Sequence, residues 1–201
     1  QAGKRVQSIY IGGGTPTTLS AEQLERLTAA LADSFDLSAL REYTVEAGRP
    51  DTITREKLAV LSRHKIGRIS INPQTLEDQV LQAIGRRHRA GDIQAAFSLA
   101  REVGFDCVNM DLIAGLPRDS FEGFCRSLEG VLAMGPENIT VHTLALKKGS
   151  TLMERRDVIP DGDQVARMLD FSLKTLRGAG YAPYYLYRQK YMSGSLENVG
   201  W

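Results

Sequence analysis

The chain has 201 residues, enough for one domain with a sizeable core, and its 42% hydrophobic and 24% charged content is ordinary for a globular protein. Lys and Arg total 25 against 24 for Asp and Glu, which argues against a nucleic-acid partner or a membrane-surface partner. No apolar run is long enough to span a bilayer and no signal peptide is visible, so we expect a cytoplasmic location.

Apolar periodicity predicts a repeated strand-then-helix order through the first 145 residues. Ser20 is the predicted N-cap of the first helix, with Gln23 at its third position, and Thr54 is the predicted cap of the second. The predicted strands are 6–11, 43–46, 67–72, 107–114, 138–146 and 184–187, and the predicted helices are 20–34, 54–64, 75–84, 92–103, 121–134 and 163–177.

This alternation predicts parallel strands joined by crossover helices, which both an open doubly wound sheet and a full or partial barrel satisfy. The positions of polar and small residues decide between them, because side chains gathered from many consecutive strand ends make a site at the mouth of a barrel. Such residues lie at or just past the C-terminal ends of five successive predicted strands: Gly13, Glu46, Gln74, Asp111 and the region of Ala145. The predicted fold class is therefore α/β, a partial (β/α) barrel.

The segment Tyr10–Thr17 reads YIGGGTPT directly after the first predicted strand. Three consecutive glycines remove every Cβ at the strand end, so a bound molecule could touch the main chain itself. The segment lacks the patterns of a P-loop and of a dinucleotide-binding loop, which argues against both kinds of phosphate site. The alternative is a tight strand-to-helix turn without a ligand.

Three polar residues at strand ends are further candidates for a binding site. Glu46, in VEAGRP, should face the barrel mouth, or it caps the next turn. Gln74, in SINPQT, offers one acceptor and two donors, or it is a loop amide in water. Asp111, in VNMDLIAGLP, is a charge within an apolar strand and needs an internal ion partner or a functional role.

Other polar segments leave two interpretations open. The basic run Gly85–Arg89 is a solvated helix end, or it places Arg86 in a ligand pocket. The aromatic and basic stretch Tyr184–Tyr191 is an edge strand, or a lid over an aromatic polyanion. His64 and His142 have no evident partners, so we expect core or surface roles for both.

Two cysteines, Cys107 and Cys125, cannot build a disulfide framework, and their spacing does not indicate a zinc site. We expect reduced, buried thiols. The chain begins at Gln1 with a strand close behind it, which leads us to expect a piece of a longer protein.

Four segments in order, IGGGTPTTLS, VEAGRPDTIT, RISINPQTLEDQVLQAIGRRH and VNMDLIAGLP, resemble the radical S-adenosylmethionine (SAM) superfamily. Within it they resemble the oxygen-independent coproporphyrinogen III oxidases and their paralogues, over about residues 5–150. The stretch PYYLYRQKYMSGSLENVGW is similar to the coproporphyrinogen dehydrogenase-like subgroup. The resemblance implies a radical SAM partial-barrel core over residues 1–150, truncated at its N-terminal strand, and the barrel end with the start of a C-terminal region over 151–201.

The resemblance also implies which residues bind SAM, although it identifies no catalytic residue. They are Gly13, Gly14 and Thr15 for the amino group, Glu46 beside the sulfonium or ribose, Gln74 and Arg86 for this or a second cofactor, Asp111 for the ribose side, and main chain near Ala145 for the adenine.

Members of this family bind a four-iron, four-sulfur cluster through a CxxxCxxC loop, whose three thiolates leave one iron open for SAM. This chain has no such motif, and Cys107 and Cys125 stand elsewhere. We therefore expect a fragment that begins after that loop, holds no metal and is inactive alone. We also expect an open sheet edge at 6–11, with some tendency to dimerise there.

The implied function is a radical SAM oxidoreductase that decarboxylates the propionates of coproporphyrinogen III in haem biosynthesis, with a tetrapyrrole substrate and an electron donor that the sequence does not indicate. In this chemistry, reductive cleavage of SAM gives a 5′-deoxyadenosyl radical that abstracts hydrogen from substrate. One alternative is a haem-binding chaperone, for which His142 and Cys107 are the strand-borne candidates for axial ligands. Another is a radical SAM enzyme that acts on a different small molecule.

Overall fold

The computed structural model describes residues 5–145, 161–187 and 198–201. Within these ranges the chain alternates strands and helices, and it has two short 3₁₀ helices at Pro16–Thr18 and Pro50–Thr52. The strands are β1 (Ser8–Ile11), β2 (Glu42–Gly48), β3 (Arg68–Gln74), β4 (Cys107–Ala114), β5 (Asn138–Thr143), β6 (Tyr185–Tyr187) and β7 (Asn198–Gly200). The helices are α1 (Ala21–Ser34), α2 (Arg55–Arg63), α3 (Asp78–Ala83), α4 (Ala90–Val103), α5 (Phe121–Met134) and α6 (Gly162–Gly178).

The strands form one sheet in the order β1-β2-β3-β4-β5-β7-β6. β1 pairs with β2, and β2 with β3, in parallel, as predicted. The other edge contains β7, a strand that the sequence pattern did not predict, and β7 runs antiparallel to both β5 and β6. Because β7 lies between them, β5 and β6 run in the same direction but do not pair with each other.

The first of two compact units comprises residues up to Asn72 together with 92–109. Its buried core includes Leu24 of α1, Leu58 and Leu61 of α2, and Ile69 of β3. Ser20 caps α1 in the predicted capping box, because its hydroxyl accepts from the Gln23 N–H and the Gln23 side chain accepts in return.

The second unit comprises residues 73–91 and 110–201, within the described ranges. Phe124 and Leu128 of α5 are fully buried in its core, as is Met110 of β4. A smaller apolar cluster contains Val80, Leu116 and Leu144. The α5 helix begins behind the Ser120 cap and ends at Gly135, whose φ of +70° is the left-handed conformation typical of a helix C-cap.

Some element boundaries differ from the predicted ones. β4 and α5 have the predicted bounds, but the helix predicted over 75–84 begins only at Asp78. The Ser127 hydroxyl accepts from the Leu76 N–H at 2.9 Å and lies 3.1 Å from the Thr75 hydroxyl, so Thr75 and Leu76 are held outside the helix. β5 ends at Thr143, and Leu146, in the predicted strand, lies outside the described residues.

No helix in the part of the chain that the structure describes combines the length and the apolar character needed to cross a membrane.

Candidate functional site

The glycine loop after β1 presents open main chain. Gly13 has a φ of +107°, a conformation that side chains other than glycine rarely adopt. A Cβ placed on Gly13 or on Gly14 would meet no atom within 4 Å, whereas one on Gly12 would stand 2.3 Å from the Tyr10 ring. Gly12 therefore serves packing, while Gly13 and Gly14 leave space for a ligand to approach the backbone.

A β-bulge in β2 sets the position of Glu46. Glu46 is paired with Ser70, but the register shifts before Gly48, which is paired with Ile71. Bulges of this kind re-aim a side chain and are over-represented next to active sites. The Glu46 carboxylate accepts a hydrogen bond from the Gly13 N–H at 3.1 Å, so the structure brings these two predicted site residues together.

The turn behind the glycine loop is anchored to the same bulge. The Thr17 hydroxyl is fully buried and donates to the carbonyl of Ala47, the residue between Glu46 and Gly48. Lys57 of α2 donates to the Thr17 carbonyl at 2.6 Å and to the Thr52 carbonyl at 3.1 Å. Gly48, with a φ of +65°, leaves room for the Thr15 side chain, which would lie 2.9 Å from a Cβ there. These contacts attach the turn to β2 and α2.

Glu46 has only neutral hydrogen-bond donors among the described residues. Apart from Gly13, its partner is the Asn72 side-chain amide, which donates to its second carboxylate oxygen at 3.4 Å. Among the described residues no Lys, Arg or His forms an ion pair with Glu46, and its side chain is only partly buried. A carboxylate fixed in this way is suited to a cationic group of a ligand.

In the second unit, Asp111 of β4 faces His142 of β5. The Asp111 carboxylate lies 3.5 Å from His142 Nε2, and the Asp111 side chain is 16% exposed against 36% for His142. The sequence did not identify this partner of His142. It also did not identify the partner of His64, whose Nε2 lies 2.6 Å from the Glu25 carboxylate.

The other predicted residues of the second unit have less defined surroundings. Gln74 ends β3, is buried, and has a φ of +69°, an uncommon conformation for a side chain other than glycine. Such outliers cluster at functional sites. Arg86 lines a pocket of about 470 Å³ together with Asp78 and other residues of α3 and with His88 and its neighbours after the helix. Ala145 is half-buried just beyond β5.

A buried carboxyl with an unusual pKa lies in the loop after β4. Burial raises the pKa of Asp119 to about 6, and nearby Glu77 adds to the effect, while hydrogen bonding from the Ser120 N–H and the charge of Arg126 oppose it. One oxygen accepts from the Ser120 N–H at 2.8 Å, and the other has no hydrogen-bond partner among the described residues.

The aromatic stretch near the C-terminus forms the edge strand β6, as one of the two interpretations expected. Its side chains are about half exposed, from 45% for Tyr187 to 62% for Leu186, and the Tyr185 and Tyr187 rings are stacked. Arg188, Lys190 and Tyr191 lie outside the described residues.

Sequence reasoning missed Asn72 as a partner of Glu46, and His142 as a partner of Asp111. The sequence contains a signal for the polar face to which Asn72 belongs. Ser70 and Asn72 alternate with apolar residues in the strand segment RISIN, so they share one face of the strand. The roles assigned to the eight cofactor-binding residues stay predictions. The structure joins Gly13 to Glu46, and Asp111 to a residue outside the predicted set.

The sequence profile of the Radical SAM superfamily matches residues 1–128. The chain belongs to the radical SAM superfamily. It is 45% identical over 98% of its length to the "Oxygen-independent coproporphyrinogen-III oxidase-like protein HemZ" of Bacillus subtilis, and 35% identical over 89% of its length to the "Heme chaperone HemW" of the same organism. The solved structure of the coproporphyrinogen III oxidase HemN of Escherichia coli, a radical SAM enzyme, matches 90% of the chain with a TM-score of 0.80 and 29% identity.

These relatives are longer than the chain, which spans 40% of HemZ, 48% of HemW and 42% of HemN. The HemN match confirms the predicted fold class, a radical SAM partial barrel of mixed α/β type. Membership of the superfamily implies SAM and a four-iron, four-sulfur cluster as the cofactors of this class.

The residues of this chain fit SAM and do not fit the cluster. The open main chain at Gly13 and Gly14 and the Glu46 carboxylate are suited to a ligand with ammonium and sulfonium charges. Cys107 and Cys125 are both half-buried and form no disulfide, and no group of three metal-ligating side chains occurs among the residues described. Three thiolates in one loop are not available here.

Proposed function

We propose that the protein is an oxygen-independent coproporphyrinogen III oxidase-like enzyme, which oxidatively decarboxylates propionate side chains in porphyrin and haem biosynthesis. The observation that carries the proposal is the Glu46 carboxylate, fixed by the Gly13 N–H beside open main chain and without a cationic partner among the described residues. The identity to HemZ over nearly the whole chain supports the substrate class.

In this proposal the residues of the chain bind and orient SAM. The main chain of Gly13, Gly14 and Thr15 would hold its amino group, and Glu46 would offset its positive charge. Asp111 would bind the ribose side, Gln74 and Arg86 would add polar contacts, and main chain near Ala145 would contact the adenine. The chemistry that bound SAM supplies is hydrogen abstraction from the substrate.

The partners we propose are a tetrapyrrole substrate and an electron donor. A tetrapyrrole with propionates combines a large aromatic surface with carboxylates, and basic and aromatic side chains are suited to both. The exposed Tyr185 and Tyr187 rings and the arginine-lined pocket around Arg86 offer groups of these two kinds.

A haem chaperone is the second candidate, favoured by the 35% identity to HemW and by one contact. Histidines that ligate metals usually donate their other ring nitrogen to a carboxylate. His142 has this arrangement, because its Nε2 faces Asp111 at 3.5 Å and leaves Nδ1 for haem iron as cargo.

The deciding experiment uses protein expressed from the complete gene, purified without oxygen and treated with iron and sulfide. It is incubated with dithionite, SAM and coproporphyrinogen III, and both 5′-deoxyadenosine and protoporphyrinogen IX are measured. Both products together support the oxidase. Only 5′-deoxyadenosine would retain the radical class and move the search to another substrate.

If neither product forms, haem titration tests the second candidate. Tight binding with a Soret band that changes in His142→Ala, but not in His64→Ala, would support the chaperone. His64 is the matched control because it also pairs with a carboxylate, that of Glu25. Absence of haem binding together with absence of both products would overturn both candidates.

A further inference from the structure

Within the first unit, three polar side chains are linked by hydrogen bonds in a series that ends at Glu46. Asn109 of β4 donates from its side-chain amide to the Ser70 hydroxyl at 2.8 Å. Ser70 of β3 donates to the Asn72 side-chain carbonyl at 2.9 Å, and the Asn72 amide nitrogen donates to Glu46 at 3.4 Å. Asn109 and Ser70 are each only 4% exposed.

The order of donors in this series of hydrogen bonds determines which group of the Asn72 side-chain amide contacts Glu46. A serine hydroxyl has one proton, and Asn109 donates to the Ser70 oxygen, so the Ser70 proton is directed to Asn72. Asn72 must then present its carbonyl to Ser70 and its NH₂ group to Glu46. Without this constraint an asparagine can turn its amide over and present an acceptor to the carboxylate.

We propose that Asn72 is a positioning residue for the Glu46 carboxylate, and that the buried Ser70 and Asn109 set its orientation. Asn72 holds one carboxylate oxygen while the Gly13 N–H holds the other, so the charge of Glu46 is aimed at the space beside the glycine loop. The inference rests on the proposed SAM site, because that site supplies the cationic ligand.

The location of the three residues indicates that they do more than pack the core. Polar side chains on β3 and β4 stand where the neighbouring positions Ile69, Ile71 and Val108 are fully buried and apolar. A buried polar network is retained at a cost when apolar packing is the alternative. The series of hydrogen bonds ends at the Glu46 carboxylate, which accepts from the Gly13 N–H of the glycine loop, so the network contacts the candidate site.

The test compares Asn72→Ala with Asn138→Ala in the protein from the complete gene. Asn138 is the matched control, because it is also half-buried and makes a 3.4 Å bond from its amide, in its case to the Trp201 carbonyl. We expect Asn72→Ala to weaken SAM binding about fivefold in calorimetry, the size of one hydrogen bond, while Asn138→Ala leaves it unchanged. Asn72→Asp, which puts a second carboxylate against Glu46, should weaken binding further.

A spectroscopic measurement separates positioning from loss of fold. In protein labelled with ¹⁵N-glycine, the Gly13 amide signal is identified by its loss in Gly13→Ser. We expect this signal to move in Asn72→Ala and, in the same direction, in Ser70→Ala, because the Glu46 carboxylate shifts, while thermal unfolding shows that the variants are folded.

An unmoved Gly13 signal, or unchanged SAM affinity in folded Asn72→Ala, would overturn the positioning role. If the unsubstituted protein does not bind SAM, the proposed function itself fails, and that result is seen before any variant is compared.

Discussion

The Glu46 carboxylate is oriented by two neutral donors, the Gly13 N–H and the Asn72 amide, and no described side chain neutralises its charge. Replacing it by Gln keeps the shape and one acceptor but removes the charge. We expect Glu46→Gln to weaken SAM binding about tenfold or more, because a charge-assisted contact becomes a neutral one. Calorimetry with Glu56→Gln, an exposed glutamate on α2, is the control, and equal affinities in the two variants would contradict this role of Glu46.

Asp119 shows how a single buried group makes stability depend on pH. Burial raises its pKa to about 6 from an ordinary value of 3.8, so the folded state holds a proton that the unfolded state releases. Stability is therefore greatest below about pH 4 for this group and falls as the pH rises through about 6. The loss of unfolding free energy at pH 7 is on the order of 3 kcal/mol.

Asp119→Asn imitates the protonated carboxyl and retains an acceptor for the Ser120 N–H. We expect it to match the unsubstituted protein near pH 4 and to be more stable near pH 7, as measured by urea unfolding at both values. Asp106→Asn, at an exposed aspartate, controls for the loss of one charge. A stability difference that does not change between the two pH values would show that folding does not raise the pKa of Asp119.

At the scale of elements, the glycine loop depends on its attachment to β2. The buried Thr17 hydroxyl donates to the Ala47 carbonyl inside the bulge. We expect Thr17→Val to lower the unfolding free energy by about 1–3 kcal/mol, because that buried carbonyl loses its donor. SAM affinity should fall as well, since the loop is then less firmly held.

The matched control for this prediction is Thr28→Val. Thr28 is equally buried, but its hydroxyl donates only to carbonyls of its own helix, Leu24 and Glu25. It should therefore leave SAM affinity unchanged, as measured by calorimetry alongside urea unfolding. Equal loss of affinity in both variants would mean that general destabilisation, and not the loop attachment, controls binding.

Elements governed by local chemistry could be predicted from the sequence, and those governed by distant contacts could not. The Ser20 capping box and the α5 helix between Ser120 and Gly135 are encoded within a few residues. The delayed start of α3 depends on Ser127, about fifty residues further along the chain. β7 is three residues long, too short for a period of two to be recognised.

The same distinction applies to the candidate site. The motifs around Gly13 and Glu46 marked both residues, because glycines and a charge at strand ends stand out in an apolar pattern. The bulge after Glu46 and the Asn72 contact result from the register between β2 and β3. Register is a property of paired strands, so a single sequence does not display it.

For the whole molecule, the sheet order leaves β1 at one edge, where β2 is its only neighbour among the described strands. The Gln7 carbonyl accepts from the N–H groups of Arg41 and Glu42, so Gln7 faces β2. Alternate residues of a strand direct their N–H and C=O groups to the same side, so Ile9 also faces β2 and Ser8 faces outward. An outward row of donors and acceptors is a template for pairing with a second copy.

We therefore expect the 201-residue chain to form a dimer whose proportion rises with concentration, and Ser8→Pro should reduce it, since proline removes an outward N–H without touching the β2 pairing. Ile9→Pro is the comparison, because it removes an inward N–H and should lower stability. Size-exclusion chromatography with light scattering measures the oligomer, and thermal unfolding measures stability. A monomer at every concentration, or a dimer unchanged by Ser8→Pro, would show that β1 is not the pairing edge.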